Sequence, residues 1–509
     1  MSSDRTVTDV LMGAARAAAT KKNRLSSASQ SPAQAPSSPA KKPKTLEDSV
    51  VSSDEPKKSG ATDPFLELKK KGSDFDPRAA ANWKDGEPVP FLFFARALDL
   101  ISNESGRIAI TDIICNVFRT VMAATPDDLL PTVYLSANRI APPHEGIELG
   151  IGDASLVKAL AEAYGRKEEH VNKQLQVECG SMWQELGDLG LVAKASRSSQ
   201  RVLYKPQRLT IAKVFHTFRA IAKESGKDSQ DKKRNHIKSL LVAANDCEPL
   251  YIIRLLQSKM RIGLAEKTVL VALGQASAYT EVLRAASSKA QVPPSDEAAK
   301  IIKQVYSVLP DYGKIVPALL RVGVLKLSEA CNFSLGVPVG PMLAKPTKSV
   351  SEILDKFQGI EFTCEYKYDG ERAQIHYMED GSIEIYSRNA ERNTGKYPDV
   401  VSSVSRFKRP AVSSFVLDCE IVAYDREKKK ILPFQVLSTR ARKGVILSDI
   451  KVAVCTFAFD ILYINGRPLL HEQLKVRREE LYKSFDEEPG EFYFATSITS
   501  NDLKKYRSS

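Results

Sequence analysis

The hydrophobic period of the chain changes at a proline-rich stretch, and this change fixes its domain organisation. From about Trp83 to Leu325, apolar residues recur at the spacing of amphipathic helices. After Val337 the stretch GVPVGPMLAKPT carries three prolines, and short alternating segments rich in β-branched residues follow. Helices repeat every 3.6 residues and strands every two. The sequence therefore predicts an all-α domain followed by a mixed α/β domain.

Local signals place individual helices. In LTIAKVFHTFRAIAKES, Thr210 is a good N-cap, and apolar residues from Ile211 to Ile221 recur at i, i+3, i+4 and i+7. PFLFFARALDLIS and SVSEILDKF predict further helices. PLYIIRLLQSKMRIG predicts a helix that becomes basic near its end, with Gly263 as its C-cap.

Strand patterns follow the prolines. EFTCEYK, RAQIHYM, SIEIYS, FVLDCEIVAYD and VAVCTFAFDILYING each predict a strand. The second and third are joined by Glu379-Asp380-Gly381, in which Asp-Gly is a strong hairpin signal. The sheet of the second domain is therefore expected to be mixed and mainly antiparallel.

The N-terminal stretch differs from the rest, and residues 1–80 are predicted to be a disordered basic tail because they offer little to bury. The clusters KKNR at 21–24 and KKPK at 41–44 suit a nuclear import signal, while a merely solubilising tail remains the alternative. A mitochondrial transit peptide is a further alternative, which Asp4 and Asp9 weaken.

Charge and cysteine content narrow the functional classes. The 509 residues carry a formal net charge of +12, which favours an anionic partner, nucleic acid first. No apolar run approaches the roughly 20 residues that span a bilayer. The seven cysteines are scattered without the spacing of a zinc site. These features predict a reduced intracellular protein without structural zinc.

The stretch EYKYDGER suggests chemistry. If it is extended, Glu365, Lys367 and Asp369 share one face, and Gly370 permits close backbone approach. The following hairpin is expected to return Arg388 toward the same region. A lysine beside carboxylates and arginines can act as a nucleophile, arginine binds phosphate, and carboxylates bind Mg²⁺. These parts describe nucleotidyl transfer from a nucleoside triphosphate, and a surface lysine at a strand-end turn is the alternative.

Longer motifs carry a family resemblance. KYDGER, YSRNAERNTGKYPD, FVLDCEIVAYD and FAFDILYING resemble the adenylation domain of eukaryotic ATP-dependent DNA ligases of the replicative type. VPFLFFARALDLIS, DLLPTVYLSANRIAPP and SKMRIGLAE resemble the DNA-binding domain of that family. The resemblance runs from about Pro88 to about Leu503. It implies a helical DNA-binding domain at 81–335 and a nucleotidyltransferase domain at 336–509.

The resemblance also implies residue roles. Lys367 would form lysyl-AMP. The implied nucleotide-binding residues are Glu365 for the adenine amino group, Arg372 and Arg388 for ribose and phosphates, Glu420, and Phe459 for stacking on adenine. Glu420 and Asp369 are the implied residues near a metal. Alone, Glu420 could be a solvated strand residue and Phe459 a core residue.

Candidate DNA contacts come from two sources. The resemblance implies that Asn389 touches the nicked strand. Basic character and a flexible glycine suggest the others, which are Arg96, Lys259, Arg261, Gly263, Lys267, Arg440 and Arg442. Each of these side chains taken singly could instead belong to a solvated face or a loop.

The implied activity is ATP-dependent sealing of nicks in duplex DNA, with Mg²⁺, through lysyl-AMP and DNA-adenylate intermediates. The expected partner is nicked double-stranded DNA, the expected state a monomer and the expected location the nucleus, with the mitochondrion as alternative. The tail shows no clear motif for a sliding clamp. RNA ligases and mRNA-capping enzymes share the lysine motif, but the long helical domain disfavours them.

The chain departs from the family pattern after FATSITSNDLKK. The family's next strand, its lysine pair and its OB-fold domain have no counterpart in the sequence, so we expect a truncated nucleotidyltransferase domain. A second hypothesis follows, in which this chain is catalytically inactive and binds nicked or duplex DNA.

Overall fold

The structure, a computed structural model, divides into two compact units. The larger unit contains residues 65–342 and 368–494, and the smaller contains 343–367 and 495–500. The residues that the structure describes are 65–177, 187–200, 206–285, 292–441 and 444–500. The two basic clusters of the tail lie outside them.

Helices build the first part of the larger unit, which confirms the helical prediction. They are α1 (Pro77–Ala80), α2 (Phe91–Ser102), α3 (Arg107–Ala124), α4 (Leu129–Ser136), α5 (Asp153–Tyr164), α6 (Glu168–Val177), α7 (Leu189–Ser198), α8 (Ile211–Lys223), α9 (Ser229–Ala243), α10 (Glu248–Leu256), α11 (Glu266–Ala285), α12 (Ser295–Val308), α13 (Tyr312–Val322) and α14 (Leu327–Ala330). The long helix α3 is buried along most of its length and packs against α11, which also packs against α12. Within the described ranges, no helix is long and apolar enough to cross a membrane.

The N-terminus of α8 follows the predicted capping pattern. The Thr210 hydroxyl accepts a hydrogen bond from the Lys213 amide at 3.1 Å, which satisfies one of the free amides of the first turn. Val214, Phe215 and Phe218 are buried in the helical core. The apolar face predicted from the spacing is therefore confirmed.

Helix α10 ends earlier than its sequence pattern suggests. Its last helical residue is Leu256, so the prediction that Gly263 caps it is wrong. Ser258 and Arg261 have φ angles of 55° and 53°, which lie in the left-handed region and interrupt a right-handed helix. The Arg254 side chain, which donates to the Met260 carbonyl at 3.3 Å, holds the resulting loop.

The stretch 65–80 is folded, so the prediction of a disordered tail up to residue 80 is wrong for this part. Leu68 and Phe75 are buried in the helical core. Asn116 donates to two backbone carbonyls of the stretch at 2.8 and 3.1 Å. The Arg119 guanidinium donates to two more, at 2.5 and 3.1 Å. Long-range partners on α3 therefore order a segment whose composition alone resembles the tail.

The second part of the larger unit is a seven-stranded sheet. Its strands are β2 (Glu371–Tyr377), β3 (Ile383–Ser387), β4 (Phe415–Asp425), β5 (Lys430–Ile431), β6 (Val454–Ile464), β7 (Arg467–Pro468) and β8 (Phe492–Phe494). Five of them are neighbours in the order β3-β2-β4-β6-β7, while β5 pairs with β4 and β8 pairs with β6. The pairs are antiparallel except β6–β8, which confirms the expected mixed antiparallel sheet. Gly381, with φ of 81°, lies in the β2–β3 turn, so the Asp-Gly hairpin is confirmed.

One face of this sheet is apolar and closes a second core. Ala373 and Ile375 of β2 lie opposite Cys419 and Leu417 of β4, and all four are buried. Three helices follow in this part of the chain: α16 (Pro398–Phe407), α17 (Phe434–Ser438) and α18 (Leu474–Ser484). Side chains from all three join the apolar core, because period-2 alternation directs every second strand residue toward them.

The opposite face carries polar side chains. The linker that follows the helical region, residues 336–342, covers one end of this face. Gln374 exchanges two hydrogen bonds with the Val339 backbone, at 3.0 and 2.6 Å. The His376 Nδ1 accepts a hydrogen bond from the Gly336 amide at 3.1 Å. The linker therefore leaves the other end of this face, toward the start of β2, for other partners.

The burial of His376 predicts acid lability. Its side chain is fully buried, and burial lowers its pKa from 6.5 to about 3, with a smaller contribution from His144. The unfolded chain binds a proton near pH 6.5 and the folded chain does not, so stability is lost as pH falls from about 6.5 toward 3. Between about pH 7.5 and pH 5.5 we expect a loss of about 1 kcal/mol from this residue.

Thermal or urea unfolding at both pH values measures this effect. The variant His376→Asn keeps an acceptor for the Gly336 amide but does not titrate, so its stability should fall less on acidification. His236→Gln, at a partly exposed position, is the matched control. Equal acid sensitivity of His376→Asn and the unchanged chain would contradict the expectation.

Candidate active site

Lys367 lies in the smaller unit, where β1 (Phe362–Glu365) pairs with β9 (Ser497–Ser500) and α15 (Val350–Lys356) precedes them. The Tyr366 amide donates to the Thr496 carbonyl at 2.9 Å. Lys367 and Glu365 are exposed. The pairing with β9 thus brings the lysine to the end of a two-stranded ladder, with its side chain at the surface.

The strand predicted through EYKYD is shorter than expected. β1 ends at Glu365, and residues 366–369 belong to no strand, so alternation does not place Lys367 and Asp369 on one face. The side chain of Asp369 is exposed in the larger unit. The predicted strand is therefore confirmed only as far as Glu365, and a shared face for Lys367 and Asp369 stays a prediction.

Gly370 is packed where no side chain fits. A Cβ at this position would lie 2.3 Å from the Ile421 carbonyl oxygen and 2.8 Å from Val422 Cγ1. The predicted close backbone approach is therefore confirmed, and the approaching backbone is that of β4. This contact fixes the first residues of β2 against the centre of the sheet.

Replacing Gly370 by alanine should therefore destabilise the larger unit by roughly 1–3 kcal/mol through overpacking. Gly395→Ala is the matched control, because a Cβ there meets nothing within 4 Å. Denaturant unfolding followed by tryptophan and tyrosine fluorescence measures both variants. Equal stability of the two variants would contradict the prediction and would show that β4 shifts to accommodate the added Cβ.

Arg372 and Asp418 form an ion pair on the polar face. The guanidinium donates from Nε at 2.9 Å and from a terminal nitrogen at 2.6 Å to the two carboxylate oxygens. Burial raises the pKa of Asp418, although the hydrogen bonds and charge of Arg372 act to lower it. The hydrogen bond to Asp418 raises the pKa of Arg372, although burial acts to lower it. Glu420 lies directly opposite Arg372 on β4 and is half-buried. A guanidinium held this way is oriented to bind a phosphate oxygen.

Asp418 was missed by the sequence analysis, although a signal for it existed. It lies inside the apolar run FVLDCEIV, two residues before Glu420. A buried carboxylate needs a partner, because desolvation of an unpaired charge is costly. The acid at position 418 therefore predicts a basic partner on a neighbouring strand.

Phe459 is half-buried on β6, close to Arg372. The guanidinium carbon lies 5.4 Å from the ring centroid, within the range of a cation–π contact. The position therefore differs from a plain core phenylalanine, since the ring shares its surroundings with a phosphate-binding type of side chain. An aromatic ring, a guanidinium and the Glu420 carboxylate thus occur on adjacent strands of one sheet.

A row of stacked rings borders this group. The Tyr368 ring stacks on Phe457 with centroids 4.1 Å apart and planes inclined by 23°. Phe457 in turn stacks on Tyr493, with centroids 5.7 Å apart. Tyr368 directly follows Lys367 in the chain, so this stack fixes the residue after the lysine. The alternation of tyrosines in EYKYDGER was a weak sequence signal for it.

A buried charged network holds Glu371 of the same motif. Its carboxylate accepts from Lys396 Nζ at 2.6 and 2.7 Å and from the Tyr397 hydroxyl at 2.7 Å. Arg440 donates to the Lys396 carbonyl at 3.0 Å and to Asp399 at 3.0 Å. The Arg440 side chain is 3% exposed. Its prediction as a DNA contact is therefore wrong, because its guanidinium is enclosed by protein acceptors.

The remaining basic candidates have diverse surroundings. Arg96 is partly exposed and forms an ion pair with Asp246. In the loop after α10, Lys259 and Gly263 are exposed and Arg261 is half-buried, and Lys267 is exposed in the first turn of α11. Arg388 and Asn389 are exposed in the turn after β3, and Arg442 lies outside the described residues. The side chains of Lys259, Lys267, Arg388 and Asn389 and the backbone at Gly263 are therefore accessible at the surface, and DNA contact there stays a prediction.

The polar face fits a nucleotide better than it fits a permanently bound metal. Among the described residues, no group of three or more His, Cys, Asp or Glu could hold a metal ion. Mg²⁺ is commonly held by one or two carboxylates together with substrate phosphates and water. Glu420 suits that arrangement, and Arg372 and Phe459 suit phosphate and base.

Comparisons with known proteins place both parts of the chain. Residues 90–274 match a family model described as DNA ligase N terminus, and residues 341–508 match one described as ATP dependent DNA ligase domain. DNA ligase 1 of Arabidopsis thaliana is 65% identical over 441 residues, which are 86% of this chain and 54% of that protein. DNA ligase 1 of Dictyostelium discoideum is 45% identical over 465 residues, 88% of this chain and 38% of that protein. The chain thus spans about half the length of the curated relatives it matches, or less.

Proposed function

Because the chain belongs to the ATP-dependent DNA ligase family, we propose that it takes part in sealing nicks in duplex DNA through lysyl-AMP and DNA-adenylate intermediates. The observation that carries the proposal is the group formed by Arg372, Glu420 and Phe459 on the polar face of the sheet, in a chain whose sequence contains Lys367 in KYDGER. These residue types match the phosphate, metal and base of ATP.

In the first step, the Lys367 amine attacks the α-phosphorus of ATP. A nitrogen–phosphorus bond forms, the bond from the α-phosphorus to the bridging oxygen of the β-phosphate breaks, and pyrophosphate leaves. The amine must give up a proton to solvent or to a nearby carboxylate. Glu365 and Asp369 are the carboxylates nearest to the lysine in sequence, and we propose Glu365 also for recognition of the adenine amino group.

Arg372 is proposed to bind a phosphate oxygen or ribose hydroxyl, held in place by Asp418. Phe459 is proposed to stack on adenine, and Arg388 to add a further contact to the nucleotide. Mg²⁺ bound to the phosphates and to Glu420 would neutralise charge during transfer, with Asp369 nearby. The side chains thus divide into base, phosphate and metal contacts.

In the later steps AMP passes to the 5′-phosphate of a nick, and the 3′-hydroxyl displaces it. We propose that the loop 257–265, Lys267, Arg96 and Asn389 contact the DNA backbone. Such contacts read phosphates, so binding should weaken steeply with salt and vary little with sequence. Nicked double-stranded DNA is the proposed partner of a monomeric chain, and a sliding clamp is a further possible partner. The nucleus is the proposed location, in replication and repair, with the mitochondrion as alternative.

The test uses the purified 509-residue chain, ATP labelled at the α-phosphate, Mg²⁺ and a nicked duplex. The proposal predicts label on the protein and, after addition of the duplex, label transfer and joined strands. Binding to the nicked duplex without any label on protein or DNA would favour the second hypothesis, a DNA-binding chain without catalysis. No binding and no label would contradict both.

A further inference from the structure

Strand β6 contains two more residues than the stretch of β4 with which it pairs. Four consecutive residues of β4, 416–419, pair in turn with Tyr463, Ile461, Asp460 and Ala458. Phe459 and Leu462 therefore have no opposite residue on β4. Each is the extra residue of a β-bulge, a feature that often redirects a side chain next to a functional site.

The bulges set the direction of the residues between them. Asp460 lies directly opposite Asp418, on the polar face, while Ile461 is buried in the apolar core. In a regular strand without a bulge at 459, alternation from Ala458 would direct Phe459 to the polar face and Asp460 into the apolar core. Whatever holds Asp460 on the polar face therefore also keeps Phe459 in its bulged position.

Arg477 of α18 holds Asp460. Its Nε and one terminal nitrogen donate to the two carboxylate oxygens, both at 2.8 Å, and its other terminal nitrogen donates to the Glu472 carbonyl at 2.6 Å. Arg477 is 12% exposed and Asp460 14% exposed, so solvent screens the pair little. A bidentate ion pair of this kind fixes the orientation of the carboxylate as well as its distance from the guanidinium.

We propose that Arg477 is a positioning residue for nucleotide binding, which fixes the bulge at Phe459 through Asp460 and so sets the direction of the aromatic ring. The inference rests on the proposed function, in which that ring stacks on adenine. The Arg372 guanidinium lies 5.4 Å from the centroid of the same ring. Arg477 itself need not touch the nucleotide.

The alternative is that Arg477 only fastens α18 to the sheet. The chain offers a matched control for this, because Arg467 of β7 also forms an ion pair with α18, through Glu480 at 3.6 Å. That pair is far more exposed, with the arginine at 55%. Its loss should affect the attachment of the helix without affecting Phe459.

ATP affinity of the full chain, measured by isothermal titration calorimetry, tests the proposal. Arg477→Met is expected to weaken ATP binding about tenfold, since small misplacements of a contact group have effects of this order or larger. Arg477→Lys, which can keep one hydrogen bond, should lie in between, and Arg467→Met should bind like the unchanged chain. If Arg477→Met does not fold, the lysine variant carries the comparison.

A double variant provides the readout that a merely structural role would not change. In a Phe459→Leu background, which itself should bind ATP more weakly, Arg477→Lys is expected to have no further effect on affinity. Additive effects, or a lower Tm with unchanged ATP affinity, would overturn the proposal while leaving the proposed function intact. Failure of the unchanged chain to bind ATP would overturn both.

Discussion

Lys367→Arg is expected to abolish covalent labelling of the chain by ATP, with a loss of more than about 10³-fold, because the nucleophile itself is removed. Arginine keeps the positive charge, but its guanidinium stays protonated and offers no free amine. Noncovalent ATP binding should persist, since the proposed contacts of Arg372, Glu420 and Phe459 remain. Gel analysis after incubation with α-labelled ATP measures the covalent product, and calorimetry measures binding.

Lys345→Arg is the matched control, because this lysine is also exposed and lies in the same unit. It should label like the unchanged chain. Addition of pyrophosphate should remove the label from the unchanged chain and from Lys345→Arg, as expected for a reversible lysyl-AMP bond. Label that survives Lys367→Arg would exclude this residue as the acceptor.

Asp418→Asn is expected to give the second large effect. Asp418 is 5% exposed and Arg372 26% exposed, and removal of the Asp418 charge leaves the partly buried guanidinium without the acceptor of its two hydrogen bonds. Breaking such a pair should lower the free energy of unfolding by about 3 kcal/mol. The freed guanidinium should also lose its fixed orientation, so ATP affinity should fall in the fraction that remains folded.

Asp486→Asn removes the carboxylate of an exposed ion pair, in which Arg409 is 47% and Asp486 66% exposed. Exposed pairs contribute at most about 1 kcal/mol, so this control should unfold near the urea concentration of the unchanged chain. Urea unfolding compares the variants, and ATP titration at low urea compares their binding. A stability loss for Asp418→Asn no larger than that of the control would contradict the importance of the buried pair.

Local signals explain what the sequence could predict. The Thr210 cap and the Asp380-Gly381 turn depend on a few neighbouring residues, and both occur where the pattern indicates. Candidate residues such as Lys367 and Glu420 came from motifs whose residues are close in sequence. These predictions needed no knowledge of which distant segments meet.

The features that the sequence did not predict depend on distant contacts. The folding of 65–80 needs the side-chain donors Asn116 and Arg119 on α3, and the enclosure of Arg440 needs Asp399 from α16. The bulge at Phe459 depends on the register between β4 and β6, which alternation within one strand cannot give. Asp418 is the exception, since a charged residue in a buried strand already required a partner.

The central claim is that Lys367 accepts AMP, and peptide mapping by mass spectrometry tests it most directly. The full chain is incubated with ATP and Mg²⁺, digested, and searched for peptides heavier by one adenylyl group. We predict a single modified peptide whose fragments place the group on Lys367. Modification at another residue, or its absence from every peptide of a preparation that binds ATP, would contradict the claim.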